Sequence, residues 1–151
     1  MKNRLIISLL VSLCGAAGLR AQDKPSFKFN HLAIFVVDLS RSRQFYTEIV
    51  GLDTIPEPFH DKKHVWINTG FGSSIHIISG AERKKEYFQG NHLCLSTSDM
   101  EGFKKRLDKN NIKWKNAQGQ AGLTTTRPDG VLQIWIDDPD GYHIEINNDY
   151  K

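Results

Sequence analysis

Cysteine is nearly missing from this 151-residue chain: Cys14 and Cys94 are its only two. Cys14 falls in a leader-like segment, so no internal disulfide can brace the rest and stability has to come from packing. A long apolar run is missing as well. The stretch from Leu5 to Leu13 is well short of the ~20 apolar residues a spanning helix requires, so no membrane span is expected. Nor is there an excess of one charge. Lys2, Arg4 and Arg20 are three of the 20 basic residues, and the 17 that follow them meet 17 acidic ones. That balance leaves no basic stripe and argues against a nucleic-acid partner.

What the N-terminus does have is a basic start at Lys2 and Arg4, the short apolar stretch, and small residues leading to Ala21. This is the layout of a secretory signal. Residues 1–21 are read as a signal peptide cleaved near Ala21, giving an exported protein, periplasmic or extracellular. The bulky Leu13 before Cys14 fits a lipid anchor poorly. Residues 22–151 are enough for one core and are read as a single domain.

That domain is written twice. Asn30-His31-Leu32 recurs as Asn91-His92-Leu93 at an offset of 61, and Asp38-Leu39-Ser40 falls on Asp99-Met100-Glu101 at the same offset. Further on, Val65-Trp66-Ile67 matches Ile134-Trp135-Ile136, and Ile75-His76-Ile77 matches Ile144-Glu145-Ile146, both at 69. The second copy therefore carries 8 extra residues, assigned to the loop 117–130, which is expected to lie over a site. Each copy reads strand, helix, then three strands: module one spans about 27–80 and module two about 88–148. Asp38 or Ser40 is expected to cap the first helix and Ser98 with Glu101 the second, with Gly51 and Asn110-Asn111 as terminators.

Period-two alternation sorts the strand faces. Leu32, Ile34 and Val36 share one face and His31 the other; Leu93 and Leu95 oppose His92; Ile75 and Ile77 oppose His76; Ile144 and Ile146 oppose Glu145. The aliphatic faces suit packing on helices. The opposite faces carry three imidazoles and one carboxylate, and by the same alternation Trp66 and Trp135 join them. A trough lined this way, apolar with a few polar atoms, suits a small-molecule substrate, with Trp66 and Trp135 as candidate binding residues. His60 and His64 read as surface residues near a hairpin, and Cys94 as a small packing residue.

Three stretches resemble the vicinal oxygen chelate superfamily, which includes glyoxalase I, methylmalonyl-CoA epimerase, fosfomycin-resistance proteins, extradiol dioxygenases and bleomycin-resistance proteins. They are "DDPDGYHIEI" at Asp137–Ile146, "NHLAIFVVDLSRSRQFY" at Asn30–Tyr46, and "GNHLCLST" from Gly90. The resemblance implies an α+β fold in which two βαβββ modules form one eight-stranded, open, cup-shaped mixed sheet with helices on the outer face. By motif position it implies metal ligands at His31, His76, His92 and Glu145. His76 departs from the family pattern, which has Glu or Gln there. Members commonly form dimers that complete the cup, so a homodimer is expected.

Three neutral imidazoles and one carboxylate leave a divalent ion with a net charge of +1, which strengthens it as a Lewis acid. An imidazole-rich set suits one divalent transition metal, Zn, Ni, Fe or Co. The resemblance then implies a metal-dependent lyase or isomerase of the glyoxalase type, acting on a substrate with adjacent oxygens through a metal-stabilised enediolate. Glu145 and His143 are the candidate proton acceptors. The alternatives are Fe(II) ring-cleavage dioxygenase chemistry and a non-catalytic binding or resistance protein. Export counts against glutathione as the co-substrate, since it is mainly a cytoplasmic substrate in the family.

Overall fold

Strand-forming and helix-forming stretches alternate in the same order in both halves, and a computed structural model of the chain, which describes residues 26–151, follows that order. The expected signal peptide and Cys14 lie outside the described residues. Module one consists of β1 (His31–Val36), α1 (Leu39–Gln44) continuing directly into a π-helical segment (Phe45–Val50), β2 (Thr54–Ile55), β3 (His64–Gly70) and β4 (Ser73–Ser79). Module two consists of β5 (His92–Ser96), α2 (Met100–Lys109), β6 (Trp114–Lys115), β7 (Thr125–Thr126), β8 (Leu132–Asp137) and β9 (His143–Asn147). No helix among the described residues is long and apolar enough to cross a membrane.

Local chemistry sets the helix ends. Asp38 caps α1 by accepting from the Arg41 amide at 3.0 Å, and Gly51 ends the π segment at φ +90°, a left-handed conformation that glycine adopts without strain. The cap of α2 is Asp99, which accepts from the Gly102 amide at 2.8 Å, and not the expected Ser98. The helix starts one residue later than the capping-box pattern suggested, and a carboxylate is the stronger acceptor there.

The strands form two mixed sheets, each open at its edges. One has the order β1-β4-β3-β2; the other is β5-β9-β8-β6, with β7 also paired to β8. In each, the first strand runs parallel to the last and the remaining pairings are antiparallel. The 8 extra residues of module two fold as the segment that carries β7. Both β1 and β5 are edge strands, and the β1 edge leaves Phe29, Phe35 and Val37 exposed.

A single core joins the modules. Ile34, Val36, Ile67, Ile75 and Ile77 from the first sheet and Ile134, Ile136, Ile144 and Ile146 from the second meet Phe45, Tyr46, Met100, Phe103 and Leu107 from the helices. Each such side chain contributes roughly 1.5–3 kcal/mol by leaving water. Because both aliphatic faces point into this shared core, both polar faces point away from it.

The turn Asp138-Pro139-Asp140-Gly141 locks module two onto module one. Asp140 accepts from the Val37 amide (2.8 Å) and the Ser42 hydroxyl (2.9 Å), while Asp138 accepts from the Tyr46 hydroxyl (3.1 Å) and the Tyr142 amide (2.8 Å). Gly141 sits at φ +95°, and a Cβ there would come within 2.9 Å of the Lys85 carbonyl oxygen, so only glycine fits. Burial raises the Asp138 carboxyl above its ordinary 3.8, against the hydrogen bonds that pull it down. A raised folded-state value makes the contribution of Asp138 to stability greatest below 3.8 and smaller as pH rises through the raised value. Asp138→Asn keeps the shape without the charge. Paired urea titrations of the two proteins are expected to show the difference moving toward wild type on acidification; a constant difference, or one of opposite sign, contradicts this.

Candidate metal centre

Module one presents its polar face through β1, β4 and β3. Ala33 and Trp66 flank His76 in register, and His31 lies one strand step away on β1. The His76 ring is sandwiched between Trp66, at 4.2 Å and 13° to it, and Phe59, at 5.7 Å and 6°. His31 and His64 approach its edges with ring centroids at 5.9 and 5.1 Å. His76 is only 7% exposed, and its Nε2 is buried without a hydrogen-bond partner. Desolvation, and then the neighbouring His64 and His31, hold its pKa below the ordinary imidazole value and favour the neutral form that ligates metals. The His31 Nδ1 is 2.6 Å from the Asn30 side-chain oxygen, so it donates there and leaves Nε2 with its lone pair.

Module two presents His92, Glu145 and Trp135. The Nδ1 of His92 faces two backbone carbonyls, Gln89 and Gly90, each at 3.2 Å. Carbonyls only accept, so Nδ1 donates, and in the neutral ring Nε2 offers a lone pair. That Nε2 lies 3.5 Å from Glu145 Oε2. A cation between the two atoms, or a proton on Nε2, satisfies this contact. Trp135, 5% exposed, sits edge-on to His92 at 4.5 Å, and its indole nitrogen, like that of Trp66, is buried without a partner. Desolvation, then the Glu145 carboxylate, push the Cys94 thiol up to about 12, so it stays protonated and donates to Glu145 Oε1 at 3.4 Å.

The structure therefore brings His31 to His76 and His92 to Glu145, one pair on each sheet. It does not bring the two pairs to one point within a chain: among the described residues, the trio of His, Cys, Asp or Glu groups whose ligand atoms lie within 4.8 Å of one another is Glu57, Asp61 and His64. Glu57 and Asp61 lie on the β2–β3 connection, and His64, the first residue of β3, packs on His76. A cleft of about 590 Å³ elsewhere is lined by Leu32, Ile75, Leu93 and Ile146 among others, and none of the four expected ligands lines it. The donor set itself fits a divalent transition ion: His76 holds an orphaned buried nitrogen, His92 and Glu145 face each other through lone pairs, and the ligand types are imidazole and carboxylate.

Some residues stand differently from their sequence reading. His64 is not a surface residue. It is half-buried with a side-chain exposure of 17%, packs on His76 and Phe59, and is oriented by Asp61 at 3.0 Å. Alternation from Trp66 would have placed it on the polar face. The same alternation from Glu145 identifies Asn147, which donates to Glu145 Oε1 at 3.1 Å. His143 lies on the polar face as expected, but both its nitrogens are engaged, Nδ1 with Asp137 at 2.6 Å and Nε2 with the Tyr87 carbonyl at 2.9 Å. This ties the connector between the modules to β9.

Comparison with known proteins agrees with this architecture. The family model described as the Glyoxalase/Bleomycin resistance protein/Dioxygenase superfamily matches residues 28–146, and the chain belongs to that superfamily. Solved structures share the fold. Oxidase ChaP-H2 has a TM-score of 0.70 at 18% identity, over 83% of this chain and 96% of its own. A lactoylglutathione lyase from Agrobacterium tumefaciens has a TM-score of 0.62 at 18% identity, over 83% and 96%. A putative glyoxalase family protein from Bacillus anthracis has a TM-score of 0.63 at 23% identity, over 84% and 98%. No curated protein matches the sequence.

The two bonds of His143 make a stability prediction. His143→Ala strands the Tyr87 carbonyl and frees the connector, and is expected to cost about 1–3 kcal/mol in urea unfolding. A loss below about 0.5 kcal/mol, the range of ordinary surface changes, would show that neither bond matters.

Proposed function

We propose that this chain is a divalent-metal-dependent enzyme of the glyoxalase type, a lyase or isomerase acting on a small substrate with adjacent oxygens. The observation that carries this is the pairing of Glu145 Oε2 with the free Nε2 of His92 at 3.5 Å, matched in the other module by the unpartnered Nε2 of His76. The site is completed by a second copy, with His31 and His76 of one chain meeting His92 and Glu145 of the other. Support comes from the open β1 and β5 edges and the exposed Phe29, Phe35 and Val37. The trio Glu57, Asp61 and His64, at the start of β3 and on the connection before it, has its groups already hydrogen-bonded and is read as the wall of the site.

When bound, Zn, Ni, Fe or Co supplies Lewis-acid stabilisation of charge that develops on the substrate oxygens. The chain does the rest. Trp66 and Trp135 provide flat apolar walls that exclude water and orient the substrate. Glu145 Oε2 has no hydrogen-bond donor on it and would take the proton once released from the metal it would help to hold, while His143, held at both nitrogens, braces β9. Residues 1–21 deliver the protein to the exported compartment.

The test is elemental analysis of the purified mature protein after reconstitution with each metal, alongside turnover of small 2-oxoaldehydes and their adducts. One ion per chain is expected, with affinity falling at least tenfold in His31→Ala, His76→Ala, His92→Ala and Glu145→Gln. A wild-type protein that holds no transition metal after reconstitution overturns the reading. Oxygen uptake with a catechol would point to ring cleavage instead, and ligand quenching of tryptophan fluorescence that is indifferent to metal would point to a binding protein.

A further inference from the structure

The duplicated fold permits a comparison of what surrounds the two equivalent ligand positions. At an offset of 69, His76 corresponds to Glu145 and Ile78 to Asn147; at an offset of 61, Ala33 corresponds to Cys94 and Phe35 to Ser96. The registers match: Ala33 pairs with His76 and Phe35 with Ile78, while Cys94 pairs with Glu145 and Ser96 with Asn147. So where the ligand is an imidazole, the three positions compared, 33, 35 and 78, hold Ala, Phe and Ile. Where the ligand is a carboxylate the three are Cys, Ser and Asn, all able to hydrogen-bond. Packing or strand propensity does not require this, because the module-one residues satisfy the same backbone.

The polar trio forms a connected chain. Asn147, 4% exposed, donates from Nδ2 to Glu145 Oε1 at 3.1 Å and to Cys94 Sγ at 3.1 Å. The Cys94 thiol donates to the same Oε1 at 3.4 Å. The amide of Asn147 is itself oriented, since its Oδ1 accepts from the Ser96 hydroxyl at 2.8 Å and from the Asp149 backbone N–H at 3.2 Å. An N–H can only donate, so Oδ1 faces it and Nδ2 must face Glu145. Both donors therefore converge on one carboxylate oxygen and leave the other, Oε2, toward His92.

We propose that Cys94, Asn147 and Ser96 are positioning residues that pre-orient Glu145, so that its Oε2 alone is offered to the metal and the substrate. This rests on the metal-centre reading. The cradle makes Glu145 a one-oxygen ligand fixed before metal arrives, and it gives Cys94 a role as a donor and not as a sulfur ligand. A carboxylate on a β-strand otherwise swings through several rotamers, and ordering it on binding would weaken the site.

The experiment uses the mature protein and measures metal affinity by chelator competition, with the visible spectrum of the Co(II)-loaded form as a second readout. Asn147→Leu, close in size and without donors, is expected to bind ten- to hundredfold more weakly with altered Co(II) bands. Because Asn147 is buried, the exposed Cys94 supplies the second pair: Cys94→Ala weakens binding, and Cys94→Ser, which keeps a donor, restores it close to wild type with unchanged bands. Melting curves of the metal-free variants verify folding. If Asn147→Leu and Cys94→Ala bind as wild type does while His92→Ala loses the metal, the positioning role is overturned and the metal centre stands. If Cys94→Ser loses as much as Cys94→Ala and the sulfur-dependent bands vanish, Cys94 is a direct ligand and the proposal is wrong. Equal binding by wild type and His92→Ala removes the metal centre and the cradle with it.

Discussion

The two-residue repeat of a β-strand is the constraint from which the rest follows. Once isoleucines at 75, 77, 144 and 146 are committed to a shared core, the residues between and beside them have no choice but the other face. His76 and Glu145 are carried there by the burial of their neighbours. The site geometry is thus underwritten by the hydrophobic core. A one-residue slip of β4 or β9 would put a polar ligand into the aliphatic core without partners, which costs too much to occur.

The same constraint explains why the two pairs of candidate ligands stay apart within one chain. Both aliphatic faces share one core, so the two polar faces look outward and the ligand pairs stay apart. The turn at Asp138 and Asp140 reinforces this disposition by fastening β8 and β9 to the first helix through buried hydrogen bonds. Two open edge strands and the exposed Phe29, Phe35 and Val37 along the β1 edge are the surface that the proposed second copy would cover. Duplication also lets the halves diverge. Imidazole sits among aromatic and aliphatic groups that keep it neutral, and carboxylate sits among donors that hold it in place.

Much of this is legible in the letters. The offsets of 61 and 69 gave the module order, the inserted segment and the faces of His31, His76, His92 and Glu145. The family resemblance gave the fold. Three things were not legible. Sequence spacing does not reveal whether two outward faces belong to one chain or two, because that depends on how the helices pack. His143 looked like a free base because alternation reports a face and not its partners; Asp137 and the Tyr87 carbonyl occupy both nitrogens. His64 reads from the sequence as a surface residue near a hairpin, whereas β3 starts with it and turns it onto His76.

The most direct measurement is a mixing experiment. One chain carries His31→Ala with His76→Ala and the other His92→Ala with Glu145→Gln; each is purified alone, then unfolded and refolded together with a transition metal. If the centre is assembled from two copies, neither protein alone holds an ion, and the mixture regains one tightly held ion in each mixed dimer. If the mixture holds no more metal than its components, the centre is not shared between chains and the account is wrong.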